Sequence, residues 1–173
     1  MSPEFLVATA NAGASRTNEG EYGMVFYLKT PLSLDTAERI VEGVFAEGKA
    51  REFEPLTAVV LDIGGHAIAL KRQDGCGIMR GDVALGKAWG ALGMGIPSGT
   101  LGKMFAQNPN FVSGLVGASD GKFAPNPGGV LILDADGAVT GAVGVSGDVG
   151  PNDEICAIAG VKAAGLRAEG TAE

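Results

Sequence analysis

Residues 60–75 read VLDIGGHAIALKRQDG. The apolar, β-branched run LTAVVLDI (56–63) predicts a buried strand. Ile63-Gly64-Gly65-His66 reads as a turn, because paired glycines accept the positive φ that tight hairpins require. HAIALKR (66–72) is then the returning strand, so the two strands run antiparallel. Alternation along it places His66, Ile68, Leu70 and Arg72 on one face.

The rest of the chain adds helices and a second hairpin. Before residue 60, Ser33 is a helix N-cap, with Asp35 and Glu38 near the positive end. Leu34, Ala37, Ile40, Val41, Val44 and Phe45 recur at helical spacing, and the helix is expected to reach about Phe53, ahead of Pro55. MVFYLKT (24–30) reads as a short strand or an extended arm. GDVALGKAWGALGMG (81–95) predicts a helix with Val83, Leu85, Ala88, Trp89 and Leu92 toward its apolar side. Its internal glycines cost roughly 1 kcal/mol each against alanine, so another helix, within the chain or across a subunit interface, is expected to pack close. SGTLGKMFAQ (98–107) predicts a short helix and FVSGLVG (111–117) a poor strand or loop. GVLILDADGAVTGAVGVSG (129–147) predicts a second hairpin turning at Asp134-Ala135-Asp136-Gly137, and NDEICAIAGVKAAGL (152–166) a helix. This order predicts an α+β architecture of helices packed on an antiparallel sheet. Residues 1–23 read as a flexible arm, or one ordered only against a neighbour, and MSPEF in part as a cloning remnant. A single domain is expected over 24–167, and a polar, frayed tail over 168–173.

Composition narrows the function. The chain has 173 residues, 46% of them hydrophobic, with 29 glycines, a formal charge of −7 and one histidine. Its mean hydropathy is +0.21 and its pI about 4.7. The acidic balance argues against nucleic acid and anionic membrane surfaces as partners. No run reaches the roughly 20 apolar residues of a membrane span, and no secretory pattern opens the chain. Cys76 and Cys156 stand far apart with no metal-ligand spacing, as expected of reduced thiols in the cytoplasm, and a structural zinc site is not expected.

Several residues carry possible chemistry. His66 is the one side chain with an ordinary pKa near neutrality; it suits a metal ligand or a proton shuttle, or simply ends a hairpin bonded to a backbone carbonyl or to Asp62. Arg72 and Asp74 form an ion pair closing the turn, or Arg72 clamps a ligand carboxylate by two parallel hydrogen bonds. Lys87 lies mid-helix, either snorkelling to water or meeting a carboxylate or a ligand anion. In GVSGDVGPNDE (144–154), Asp148, Asp153 and Glu154 oppose an anion and favour helix capping; the alternatives are a carboxylate, Glu154 foremost, acting as acid or base, or one holding a cation. Trp89, Met94, Met104 and Phe105 could wall a flat cofactor or could be ordinary core. The Gly-Lys-Ser/Thr of a phosphate loop and the Gly-x-Ser-x-Gly of a hydrolase elbow are both missing.

PLSLDTAERI, VVLDIGGHAIALKRQDG, Lys87-Ala88, IPSGTL, GGVLIL and GAVGVSG…DE followed by AIAG resemble, in this order, the GlcG/HbpS family. That family includes haem-binding proteins, the C-terminal domain of PduO-type corrinoid adenosyltransferases and a glycolate-operon protein. The resemblance runs from about Pro31 to Leu166. It implies a profilin-like α+β fold, assembly as dimers, tetramers or octamers, and binding of a small molecule, with haem foremost. Some haem binders of the family use a histidine near the first helix; here that helix carries Glu38, Arg39 and Glu42. An axial ligand must come from elsewhere, with His66 a candidate beside methionine, cysteine or a hydroxyl. Arg72 and Lys87 would then pair with haem carboxylates. The competing expectation is a catabolic-operon enzyme acting on a small oxo- or hydroxy-acid. There His66 or Glu154 would move the proton and Arg72, Asp74 or Lys87 would bind substrate. A packing module without a ligand is the third.

Overall fold

The computed structural model describes residue 28 and residues 30–171. The 1–23 arm and most of the 24–30 run lie outside them. Helix α1 (Leu34–Ala50) starts where Ser33 accepts a hydrogen bond from the Thr36 amide at 3.2 Å. It ends three residues before Phe53, because Glu52 takes the left-handed φ of 57° and the Phe53 amide turns back to the Gly48 carbonyl at 3.0 Å. The first hairpin is β1 (Thr57–Asp62) and β2 (Ala67–Arg72). Helices α2 (Arg80–Met94), α3 (Ser98–Phe105) and α4 (Pro109–Ala118) follow. The second hairpin is β3 (Gly129–Leu133) and β4 (Val139–Ser146), succeeded by α5 (Gly150–Ala163) and β5 (Arg167–Glu169).

The strands form one antiparallel sheet in the order β2-β1-β4-β3-β5. Pleating sends Ala58, Val60, Val130, Ile132, Val143 and Val145 to one face, against α1 and α5. Val59, Leu61, Leu131 and Ala142 go to the other, against α2. The α+β architecture is the expected one.

Four details depart from the sequence reading. The 111–117 run is helical, opened by Pro109 in the first turn. The segment from Arg167 is not frayed: Ala168 joins the core and the strand pairs with β3, since a polar edge strand needs only one neighbour. The fully buried side of α2 is small (Ala84, Ala88, Ala91), while Leu85, Trp89 and Leu92 lie at its flanks. This brings the helix backbone so close to the sheet that a Cβ on Gly144 would strike the Ala84 carbonyl. The helix's own Gly86 and Gly90 face Ala124 and Phe123 of the same chain, not another helix. Finally, β2 carries a bulge where β1 passes from Val60 to Leu61. Ile68 and Ala69 both pack toward α1 and α5, so the simple alternation linking His66 to Arg72 is broken.

Candidate functional site

The two hairpins turn in the same way. In the first, Asp62 Oδ1 accepts the amides of Gly64 (2.8 Å) and His66 (3.0 Å), and Gly65 has φ 80°. In the second, Asp134 Oδ1 accepts the amides of Asp136 (3.0 Å) and Ala138 (2.9 Å), and Gly137 has φ 86°. His66 therefore stands where the second turn has Ala138. Its imidazole is 82% exposed, with Nδ1 3.4 Å from Asp62 Oδ1. The His66 amide, then burial opposing it and the Gly64 amide, leave the Asp62 carboxyl below its ordinary range.

Beside this turn stands Trp89. A Cβ on Gly65 would lie 2.9 Å from Trp89 Nε1, so the turn rests on the indole edge. Two hollows meet at Trp89 and Gly93. One, of about 130 Å³, is lined also by Ile63 and Leu92; the other, of about 200 Å³, by Met94, Leu115 and Phe123. Ile63 and Met94 are exposed, and Lys122 Nζ sits 5.8 Å from the indole centroid. Of the expected apolar wall, Trp89 and Met94 are here. Phe105 instead stacks edge-on with Phe111 at 5.1 Å, and Met104 faces solvent on α3.

The remaining candidates gather elsewhere. The register pairs Thr57 with both Arg72 and Ser146, whereas Asp62 lies opposite Gly141 at the other end of β1. Arg72 lies six positions along from His66, at the far end of β2, roughly 20 Å at about 3.3 Å per residue. No Arg72–Asp74 ion pair forms among the described residues; both side chains line a cleft at this end. Lys87 does not snorkel. Its ammonium donates to Asp153 Oδ2 at 2.7 Å and to the Val145 carbonyl at 2.9 Å, with side-chain exposures of 3% and 1% for the pair. Burial pushes the Lys87 ammonium down and the Asp153 carboxyl up, each opposed by the partner's charge. Glu154 is buried and accepts the Thr171 amide at 2.8 Å. Asp148 accepts the amides of Glu54 (2.9 Å) and Val149 (2.6 Å).

The proton-moving and substrate-holding residues of the expected acid–base enzyme are therefore not assembled. His66 is at one end of the sheet, Arg72 and Asp74 are at the other, and Lys87 and Glu154 are engaged in the interior. Lys87 and Arg72 are likewise not placed to meet haem carboxylates beside His66. Sequence reasoning missed Lys122 beside Trp89, and Asp153 as the partner of Lys87 from 66 positions away. Among the described residues no three His, Cys, Asp or Glu side chains converge, so His66 suits only a metal that brings most of its own ligands.

A family model described as haem degrading protein HbpS-like matches residues 32–162. The chain belongs to the HbpS-like family. The HbpS-like fold recurs in solved structures. A crystal structure of a PduOC–haem complex has a TM-score of 0.70 at 21% identity, covering 80% of this chain and 98% of that one. Klebsiella pneumoniae protein ORFY gives 0.70 at 22% identity, covering 87% and 98%. A double mutant of Streptomyces reticuli HbpS gives 0.65 at 25% identity, covering 90% and 97%. No curated protein sequence matches.

Proposed function

We propose that this HbpS-like chain binds haem or a related tetrapyrrole on the apolar surface of Trp89, with His66 as the iron ligand. The comparison of the two turns carries this reading. Ala138 satisfies the second turn, so the same backbone in the first does not require an imidazole, yet an exposed one is present. The Asp62 carboxylate, 3.4 Å from Nδ1, occupies that side of the ring and leaves Nε2 for a metal. Haem would supply redox-active iron; the chain would hold it through the His66 imidazole, the wall of Trp89, Ile63 and Met94, and the Lys122 cation facing a haem carboxylate.

The family description and the haem bound in the PduOC structure agree with this reading. Each Trp89 hollow is smaller than the about 300 Å³ at which enclosed small-molecule sites begin. One chain then covers only part of the macrocycle, and a second copy in an oligomer covers the rest. A cytoplasmic location fits the two free thiols, and no helix of the described residues is long and apolar enough to cross a membrane.

Trp89 is the chain's only tryptophan, so its fluorescence reports on this surface. Hemin is expected to quench it saturably at one equivalent per chain; quenching that rises linearly without saturation contradicts the proposal.

A further inference from the structure

At the sheet end remote from His66, the close of α1, the 51–56 connection and the close of β2 border a cleft of about 560 Å³. That volume falls within the about 300–1,000 Å³ of small-molecule sites, unlike either Trp89 hollow. Its lining includes Lys49, Phe53, Pro55, Arg72, Gln73 and Asp74.

Local structure explains the arrangement. The left-handed Glu52 folds Phe53 back over the helix end beside Lys49. Gln73 is held twice: its amide donates to the Leu56 carbonyl at 3.0 Å, and its Oε1 accepts the Leu56 amide at 2.7 Å. The carboxamide NH₂ is thereby fixed as a spare donor. Neighbouring cations are already paired, Lys71 with Glu38 at 3.3 Å and Arg51 with Glu47 at 2.6 Å. Lys49 and Arg72 form no ion pair among the described residues. In a chain of formal charge −7, two unpaired cations lining one cleft run against the prevailing sign.

We infer that this cleft binds a small organic monocarboxylate, its carboxylate paired with Arg72 and Lys49 and its apolar body resting on Phe53 and Pro55. Asp74 disfavours a second anionic group on the ligand. The site is separate from the Trp89 surface and does not depend on haem.

Benzoate tests the inference, with neutral benzamide as its control, followed by amide chemical shifts of the ¹⁵N-labelled protein. Benzoate is expected to shift residues 48–55 and 72–75 saturably, and benzamide to leave them unmoved. Arg72→Gln is expected to weaken binding about tenfold, as the loss of a charge-assisted bidentate contact should. Lys49→Gln, altered on the exposed last turn of α1, is expected to weaken it in the same direction. Non-saturating or scattered shifts, an equal response to benzamide, or unchanged affinity in both variants overturns the inference.

Discussion

Lys87 on α2 and Asp153 on α5 meet at 2.7 Å although their helices lie on opposite faces of the sheet. The lysine stem passes the end of β4, where its ammonium also holds the Val145 carbonyl. This contact ties the two helical layers together. A buried ion pair is weak evidence of net stability, but removing one partner strands the other charge. Lys87→Met should therefore cost about 3–5 kcal/mol in urea unfolding. Adding Asp153→Asn, which keeps an oxygen for the Asp148 amide, should restore part of that loss. A double variant no more stable than Lys87→Met contradicts this account.

Asp148 gives a pH signature. The Glu54 amide, then the Val149 amide, hold its carboxyl below its ordinary value of 3.8. A depressed folded pKa stabilises the protein above the unfolded value, and that contribution disappears as pH falls through the folded one. Asp148→Asn keeps only one acceptor oxygen for the Glu54 and Val149 amides and should cost about 1 kcal/mol at pH 7, the scale of a lost hydrogen bond. The gap from wild type should close as pH drops below 3.8. A gap that is constant from pH 7 to pH 2 would remove the carboxylate from the explanation.

Cys156 is fully buried in the α1–α5 core, and burial pushes its thiol up to about 12. At pH 8 it is protonated and shielded. Iodoacetamide followed by peptide mass analysis should modify Cys156 only once the protein unfolds in urea. Rapid labelling of Cys156 in the native state contradicts the packing described here.

The elements with strong periodicity were legible in the sequence: α1 with its Ser33 cap, both hairpins, α2 and α5. What escaped depended on distant partners. Ser113, Gly114 and Gly117 dilute the helical signal of α4, whose ten residues carry no charge and bury none of their side chains. Strand β5 is three residues of Arg-Ala-Glu, recognisable only once β3 lies beside it. The β2 bulge is a property of pairing, so strand alternation alone linked His66 to Arg72. Lys87 looked solvent-bound because its partner stands 66 positions away. His66 was visible as the lone histidine, but its significance emerged from comparison with Ala138 in the second turn.

His66 is therefore the residue on which the haem proposal turns. Because Ala138 closes the equivalent turn, His66→Ala should change stability by no more than about 0.5 kcal/mol, as at an ordinary surface position. The decisive measurement is a hemin titration of wild type and His66→Ala, followed through the Soret band with folding checked by circular dichroism. The account predicts a saturable band at one haem per chain in the wild type, and a displaced or much weaker band in a variant that remains folded. A Soret band of the same position and affinity in both proteins, or no saturable band in either, would contradict it.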